Sequence, residues 1–395
     1  MKPSPDVRMR DARTRVLLLT DEMEVGGTQR QIVHIAKGLD RRRFDPSVVF
    51  FRNRSFLADE LVAAGVPVLQ VAKRGRIDPL FVRELVGHLW EGRYHVMHCF
   101  AFSGELWGTI ARQLLPASRR PTLVSSVRGT YEWYSPLQWR VKRWVSGRSA
   151  SIVANSSAGA AYAKDKLGLA DRTIDIVYNG VEMPAPRTDT AQDLRHTMVR
   201  EGEVLALFVG RLIVHKNLPT LLRACELLRQ RGVAVRMAIA GDGPLRADVE
   251  DRIRAQGLRE HVLLLGQRAD VAELMAAADL VVLPSLREGL SNVILEGMMS
   301  GKPVVASRAG GNVELVEHGR TGLLFETEDA CALADAMQTL ALDPDLRRSL
   351  GEAGRARALE RHSVSAMVHA FERRYAELRT SGRGGPALSP GRTVG

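Results

Sequence analysis

"LVVLPSLREGLSNVILEGMMSGKPVVAS", residues 280–307, decides how the chain is read. Two short apolar runs, LVVLPS (280–285) and PVVAS (303–307), flank a stretch with helical periodicity. Val293, Ile294, Gly297 and Met298 form an apolar stripe, and Ser291 stands where an N-cap belongs. Strand, helix and strand in so short a span make a βαβ unit. Its strands are parallel, and the helix covers them. Two glutamates, Glu288 and Glu296, frame the helix start.

The pattern continues outward. VLALFVG (204–210), RMAIAG (236–241), VLLLG (262–266) and GLLF (322–325) complete one strand series. RVLLLT (15–20), SVVFF (47–51), VPVLQVA (66–72), YHVMHCF (94–100), TLVSSV (122–127), SIVANS (151–156) and IDIVYN (174–179) make another. Apolar strands separated by amphipathic helices predict two α/β, doubly wound parallel-sheet (Rossmann-like) domains. The Pro-, Asp- and Thr-rich stretch 179–193 reads as the linker between them. Expected domains are 15–185 and 186–362, followed by a C-terminal helix at 363–379 that packs back on the first domain. Residues 1–14 are expected to be flexible, and the Gly/Pro-rich tail 380–395 disordered. Two such domains would face each other across a cleft at the carboxyl ends of their strands, where ligands of these folds bind.

The 395 residues carry a net charge of +11, which favours an anionic partner. The basic residues are dispersed, without helix-turn-helix, zinc or RNP patterns, so no nucleic-acid partner is expected. Cys99, Cys225 and Cys331 are too few and too scattered for a disulfide framework or zinc site. The N-terminus lacks a signal-peptide core, and no apolar run reaches the length of a membrane span. These features predict a cytoplasmic protein.

The loops after the strands carry the chemistry. Gly210 opens a loop holding Arg211 and Lys216, two cations that could neutralise a diphosphate or stand as surface charges. Gly241 begins the turn GDGP, and Gly310 and Gly311 let the backbone turn closely round a ligand. The helix start at Leu290, Ser291 and Asn292 is a natural anion site. Glu296, taken singly, reads as an exposed helix glutamate. In the N-terminal half, Gly26 and Gly27 follow the first strand, and Thr28 can cap the next helix. The dinucleotide spacing of glycines is absent, which disfavours NAD binding. SPLQWRVKRWVSGR (135–148) is a basic amphipathic helix. Leu137, Val141, Trp144 and Val145 line one face, Arg140, Lys142 and Arg143 lie elsewhere, and Trp133 and Trp139 flank it. Such a helix can rest on an anionic membrane face, or pack on its own sheet.

These motifs, in this order, resemble glycosyltransferase family 4, the retaining "group 1" enzymes of the GT-B fold. The resemblance runs over about residues 15–365, through GGTQRQIVHIAKGL, ANSSA, VYNGVE, FVGRLIVHKN, AGDGP, the 283–307 stretch, AGGNVELV and GRTGLLF. It implies that Glu288 faces the donor sugar and Glu296 the nucleotide ribose. Gly289, Leu290 and Ser291 would pass beside the diphosphate, which Arg211 and Lys216 neutralise, with Gly27 as a backbone donor. It implies no cofactor and no metal, only a UDP- or GDP-linked sugar as substrate and a glycan or lipid-linked acceptor, in surface or exopolysaccharide or glycolipid synthesis. Many members place a His after the strand equivalent to 122–127. Arg128 stands there instead, unable to act as a base but able to bind phosphate or an anionic acceptor. His98 is a second catalytic candidate by position, or a satisfied histidine at a strand end. An epimerase or hydrolase on the same fold, and a non-catalytic nucleotide-sugar-binding protein, are the alternative readings.

Overall fold

The computed structural model describes residues 13–75, 78–129, 131, 134–169, 172–183 and 185–381. Contacts divide the chain into two compact units, with boundaries at Gly180/Val181 and Ser363/Val364. Unit 1 takes the N-terminal segment and the C-terminal helix, and unit 2 the segment between. Residues 1–12 and 382–395 lie outside the described residues, as does Trp133, while Thr14 opens a strand and Thr380 and Ser381, expected in the tail, end the last helix.

Unit 1 is built on β1 (Thr14–Leu19), β2 (Phe44–Phe50), β3 (Val68–Gln70), β4 (Val96–Cys99), β5 (Thr122–Val127), β6 (Ser151–Ala154) and β7 (Asp175–Ile176). All pair in parallel, in the order β3-β2-β1-β4-β5-β6-β7. The order reverses beside β1, the switch point at which doubly wound sheets bind ligands. The alternation of β1 explains the layers. Val16 and Leu18 enter one core with the helices Gly27–Gly38 and Val364–Ser381. Leu17 and Leu19 enter the opposite core with Phe81, Leu85, Ala111 and Val145. Both faces of the strand are therefore dry, which is why it reads as a continuous apolar run. The C-terminal helix joins unit 1 through Met367, Val368, Phe371 and Tyr375, and Glu372 accepts a 2.7 Å hydrogen bond from Asp40 N–H.

Unit 2 repeats the plan with β8 (Val204–Val209), β9 (Val235–Ala240), β10 (Val262–Gly266), β11 (Leu280–Leu283), β12 (Val304–Ser307) and β13 (Gly322–Phe325). The order is β10-β9-β8-β11-β12-β13, again all parallel. The expected linker 179–193 is shorter than predicted, because a helix begins at Thr188 and runs to Met198. Ala191 and Met198 are buried there. Arg187 and Arg195 pair with Glu273 and Asp279 at 2.9 Å, so tertiary contacts extend the helix into a segment with turn-like composition. Among the described residues, no helix is long and apolar enough to cross a membrane.

Candidate active site

In unit 2 the loops at the carboxyl ends of the strands meet backbone to backbone. Gly210 N–H donates to Ala240 and Gly241 N–H to Gly266, at 2.9 and 2.7 Å. A Cβ on Gly241 would lie 1.9 Å from the Gly210 carbonyl oxygen. On the other side of the sheet a Cβ on Gly310, where φ is +51°, would lie 1.9 Å from the Glu288 carbonyl oxygen. One on Gly311 would meet that of Gly289 at the same distance. These glycines let one loop lie directly on the next, so the backbone of Glu288 and Gly289 is held from behind.

The carboxylate of Glu288 is fixed as firmly. Lys216, at the end of the 3-10 turn Val214–Lys216, donates to Glu288 Oε1 at 2.6 Å. Ser285 Oγ donates to the same oxygen at 2.7 Å. Leu286 N–H reaches the His215 carbonyl at 2.8 Å, which ties the two loops together. Ser307 Oγ donates in turn to the Ser285 carbonyl. Lys216 and Glu288, named separately from sequence, thus form one ion pair whose side chains are only 15% and 12% exposed. Ser285 was missed, because a serine behind a proline carries no signal until Glu288 is seen to fold back on it. Burial and the neighbouring Lys216 charge push His215 below its ordinary pKa.

The helix Asn292–Met299 starts where the sequence predicts, and Ser291 Oγ accepts from Ile294 N–H at 3.4 Å. Leu290 and Ser291 are buried. Asn292 and Glu296 are half-buried, and Arg211 is exposed. The site can therefore present a fixed carboxylate, a lysine ammonium, an exposed guanidinium and a helix N-terminus along one strand edge.

Unit 1 arranges its edge differently. Its first helix starts at Gly27 with Gly26 as N-cap and no side-chain cap, so Thr28 sits inside the helix rather than capping it. His98 is the second residue to place. It is completely buried, with Nδ1 bonded to Tyr375 Oη and Nε2 to Ser126 Oγ, both at 2.7 Å. Burial and the Arg128 charge hold it well below the usual imidazole pKa. It joins β4, β5 and the C-terminal helix, which fits the reading of a satisfied histidine at a strand end. Beside it Glu105 and Lys142 form a buried pair at 2.5 Å. Ser126 N–H donates to Glu105, and Lys142 donates to the Ser126 carbonyl.

Arg128 follows β5. Its Nη1 donates to Asn179 Oδ1 at 3.0 Å, and its guanidinium carbon lies 5.0 Å from the Phe100 ring centroid. Nε and Nη2 are buried without a hydrogen-bond partner. Burial lowers its pKa to about 10, so it stays cationic at neutral pH.

The helix Pro136–Arg148 follows the second of its two readings, packing on its own sheet. Val145 is buried and Val141 and Trp144 are partly buried against the unit 1 core, so the apolar face packs on its own sheet. Lys142 is inside. The exposed face shows Leu137, Arg140, Arg143 and Arg148, and Arg148 stacks on Trp144.

Comparison with known proteins adds independent findings. The family described as "Glycosyl transferases group 1" matches residues 190–357, and "Glycosyltransferase Family 4" matches residues 25–183. The D-inositol 3-phosphate glycosyltransferase of Pseudarthrobacter chlorophenolicus is 36% identical over 287 residues, 68% of this chain and 67% of that protein. The alpha-D-kanosaminyltransferase of Streptomyces kanamyceticus is 32% identical over 219 residues; that match covers 51% of this chain and spans 57% of the relative's length. Among solved structures, Anabaena HepE in complex with UDP and glucose superposes with a TM-score of 0.83 at 25% identity. It covers 92% of this chain and 100% of its own.

Proposed function

Since the chain belongs to the group 1 glycosyltransferases of family 4, we propose that it moves a sugar from a nucleotide-diphosphate sugar to a glycan or lipid-linked acceptor, with retention at the anomeric carbon. The observation that carries this is the Lys216–Glu288 pair at the carboxyl edge of unit 2, with the capped helix start a few residues on.

The chemistry follows from charge. Breaking the bond between the anomeric carbon and the diphosphate oxygen leaves positive charge on the sugar and negative charge on the phosphate. Lys216, Arg211 and the N–H groups of the helix start suit the phosphate, and preorganised groups of this kind stabilise a transition state because they need not reorient. Glu288 suits the sugar end and Glu296 the ribose. In a front-face transfer the acceptor hydroxyl forms the new bond on the side the diphosphate leaves, and the leaving phosphate takes its proton. No step in this scheme calls on a metal. Arg128, with two guanidinium nitrogens unmatched, suits a phosphate or an anionic acceptor. The complex of HepE with UDP and glucose favours UDP over GDP as carrier. Synthesis of a surface polysaccharide or glycolipid at the cytoplasmic membrane face is the setting we infer.

Calorimetry with UDP, GDP and ADP and their sugars tests the reading. One nucleotide sugar should bind, more weakly in both Lys216→Ala and Glu296→Ala. Binding of none, or binding indifferent to both changes, removes the donor site from unit 2.

A further inference from the structure

A pocket of about 390 Å³ opens in unit 1, lined by Phe51, Arg52, Lys73, Arg74, Ser103 and Trp107, with Gly75 at its rim. Its residues come from chain just beyond β2, β3 and β4, so it sits at the carboxyl edge of the sheet. Three of them are cations. Asp21 stands 3.5 Å from Arg52; burial pushes that carboxyl above its ordinary pKa. Lys73 is half-buried. Its ammonium lies 5.2 Å from the Trp107 ring centroid and donates to the Gly75 carbonyl. Trp107 is itself braced edge-on by Phe81, ring centroids 5.7 Å apart. Ser103 belongs to the first turn of the helix Phe102–Leu114, whose N-cap, Ala101, makes no side-chain cap.

Charge across the whole chain points the same way. Unit 1 holds 33 Lys and Arg against 19 Asp and Glu, and unit 2 holds 23 against 26. The entire positive excess therefore lies in unit 1, while the diphosphate-binding role falls to unit 2. A cationic excess of that kind raises the local concentration of an anion and steers it inward.

We propose that this pocket binds a phosphate group on the acceptor, with Arg52, Lys73 and Arg74 as its counter-charges and Trp107 as an apolar wall for the adjoining sugar ring. The proposal rests on the proposed function, in which the donor falls to unit 2; it gives the acceptor to unit 1 and names its chemistry: a sugar phosphate, free or carried on a lipid.

The test is calorimetric titration of the full chain saturated with UDP. Glucose 1-phosphate should bind, and methyl α-glucoside, which lacks the charge, should not. Lys73→Ala and Arg52→Ala should each weaken the phosphate ligand about tenfold, while Lys216→Ala leaves it unchanged. Trp107→Phe should weaken glucose 1-phosphate more than inorganic pyrophosphate. Thermal melts of each variant establish that it is folded. Phosphatidylcholine vesicles with and without polyprenyl phosphate form the second arm. Binding there that needs both the phosphate and Lys73 assigns the lipid source, and binding of glucose 1-phosphate alone assigns the free one. The proposal fails if neither arm shows phosphate-dependent binding, or if Lys73→Ala binds as well as wild type. Failure of the donor reading is separate. If no nucleotide sugar binds, the same titration on the unliganded chain still decides the pocket through Lys73→Ala.

Discussion

The two units share a sheet plan and differ in how close their loops lie at the carboxyl edges. Unit 2 stacks loop on loop through backbone, with no room for a Cβ at Gly241, Gly310 or Gly311. Unit 1 ties its edge with buried side chains: Glu105 to Lys142, His98 to Ser126 and Tyr375, Arg128 to Asn179. A backbone-built edge makes one geometry, whereas a side-chain-built edge can be altered one residue at a time.

The sharpest way to break this contrast is to delete a charge in unit 1. Glu105→Ala strands the Lys142 ammonium, and an uncompensated buried charge costs about 3–5 kcal/mol. Urea unfolding should show that loss, and Glu105→Leu with Lys142→Met should recover most of it. If the double variant is no better than the single, the pair is not the organising contact.

Next comes Lys216→Ala in unit 2. It should lower kcat by about a hundredfold to a thousandfold, the usual cost of one preorganised charge donor, with little change in melting temperature. A fall in stability instead of rate would make the pair structural.

A methyl group is the corresponding insult to the backbone edge. Gly310→Ala meets both a positive φ and a carbonyl at 1.9 Å, so a stability loss of about 1–3 kcal/mol is expected, with weakened nucleotide binding. Gly129→Ala in unit 1, where a Cβ would meet nothing within 4 Å, should be silent. Equal effects at both positions would erase the comparison.

Acid should also act on unit 1. His98 is held well below its ordinary pKa by burial, and His34 is lowered to about 4, again chiefly by burial. Each binds a proton more readily unfolded than folded. The stability they lend is therefore present above about pH 6.5 and is lost as pH falls toward the folded-state values. The slope is up to about 1.4 kcal/mol per pH unit for each histidine. Urea titrations at pH 7, 6 and 5 should show this slope, and His34→Gln should flatten part of it.

The smallest effect concerns the outer face of the Pro136–Arg148 helix. Arg140→Ser and Arg143→Ser should each weaken binding to anionic vesicles at low salt by about 1 kcal/mol. Sedimentation that does not change with either variant would leave this face without a membrane role.

The strands and the glycine loops were legible because both are local. Continuous apolar runs announce buried strands, and Gly210, Gly241, Gly310 and Gly311 announce places where backbones touch. The pairing of Lys216 with Glu288 was not legible, since 72 residues separate them. Lys142 was misread for a similar reason. Helical spacing sorts positions round an axis, but it does not reveal that Glu105, 37 residues earlier, waits inside to receive a charge. Arg52, Lys73 and Trp107 carried no motif at all.

By itself the sequence determined the parallel sheets, the helix start at Ser291 and the family, because each depends on short-range periodicity, backbone sterics or a contiguous motif. The tertiary structure decided which charges are partners, which are buried and which remain available for a ligand. It moved His98 and Lys142 into the core and left Arg128 with unmatched donors. Those outcomes depend on desolvation and on contacts between distant segments, and neither is written in any one stretch of the chain.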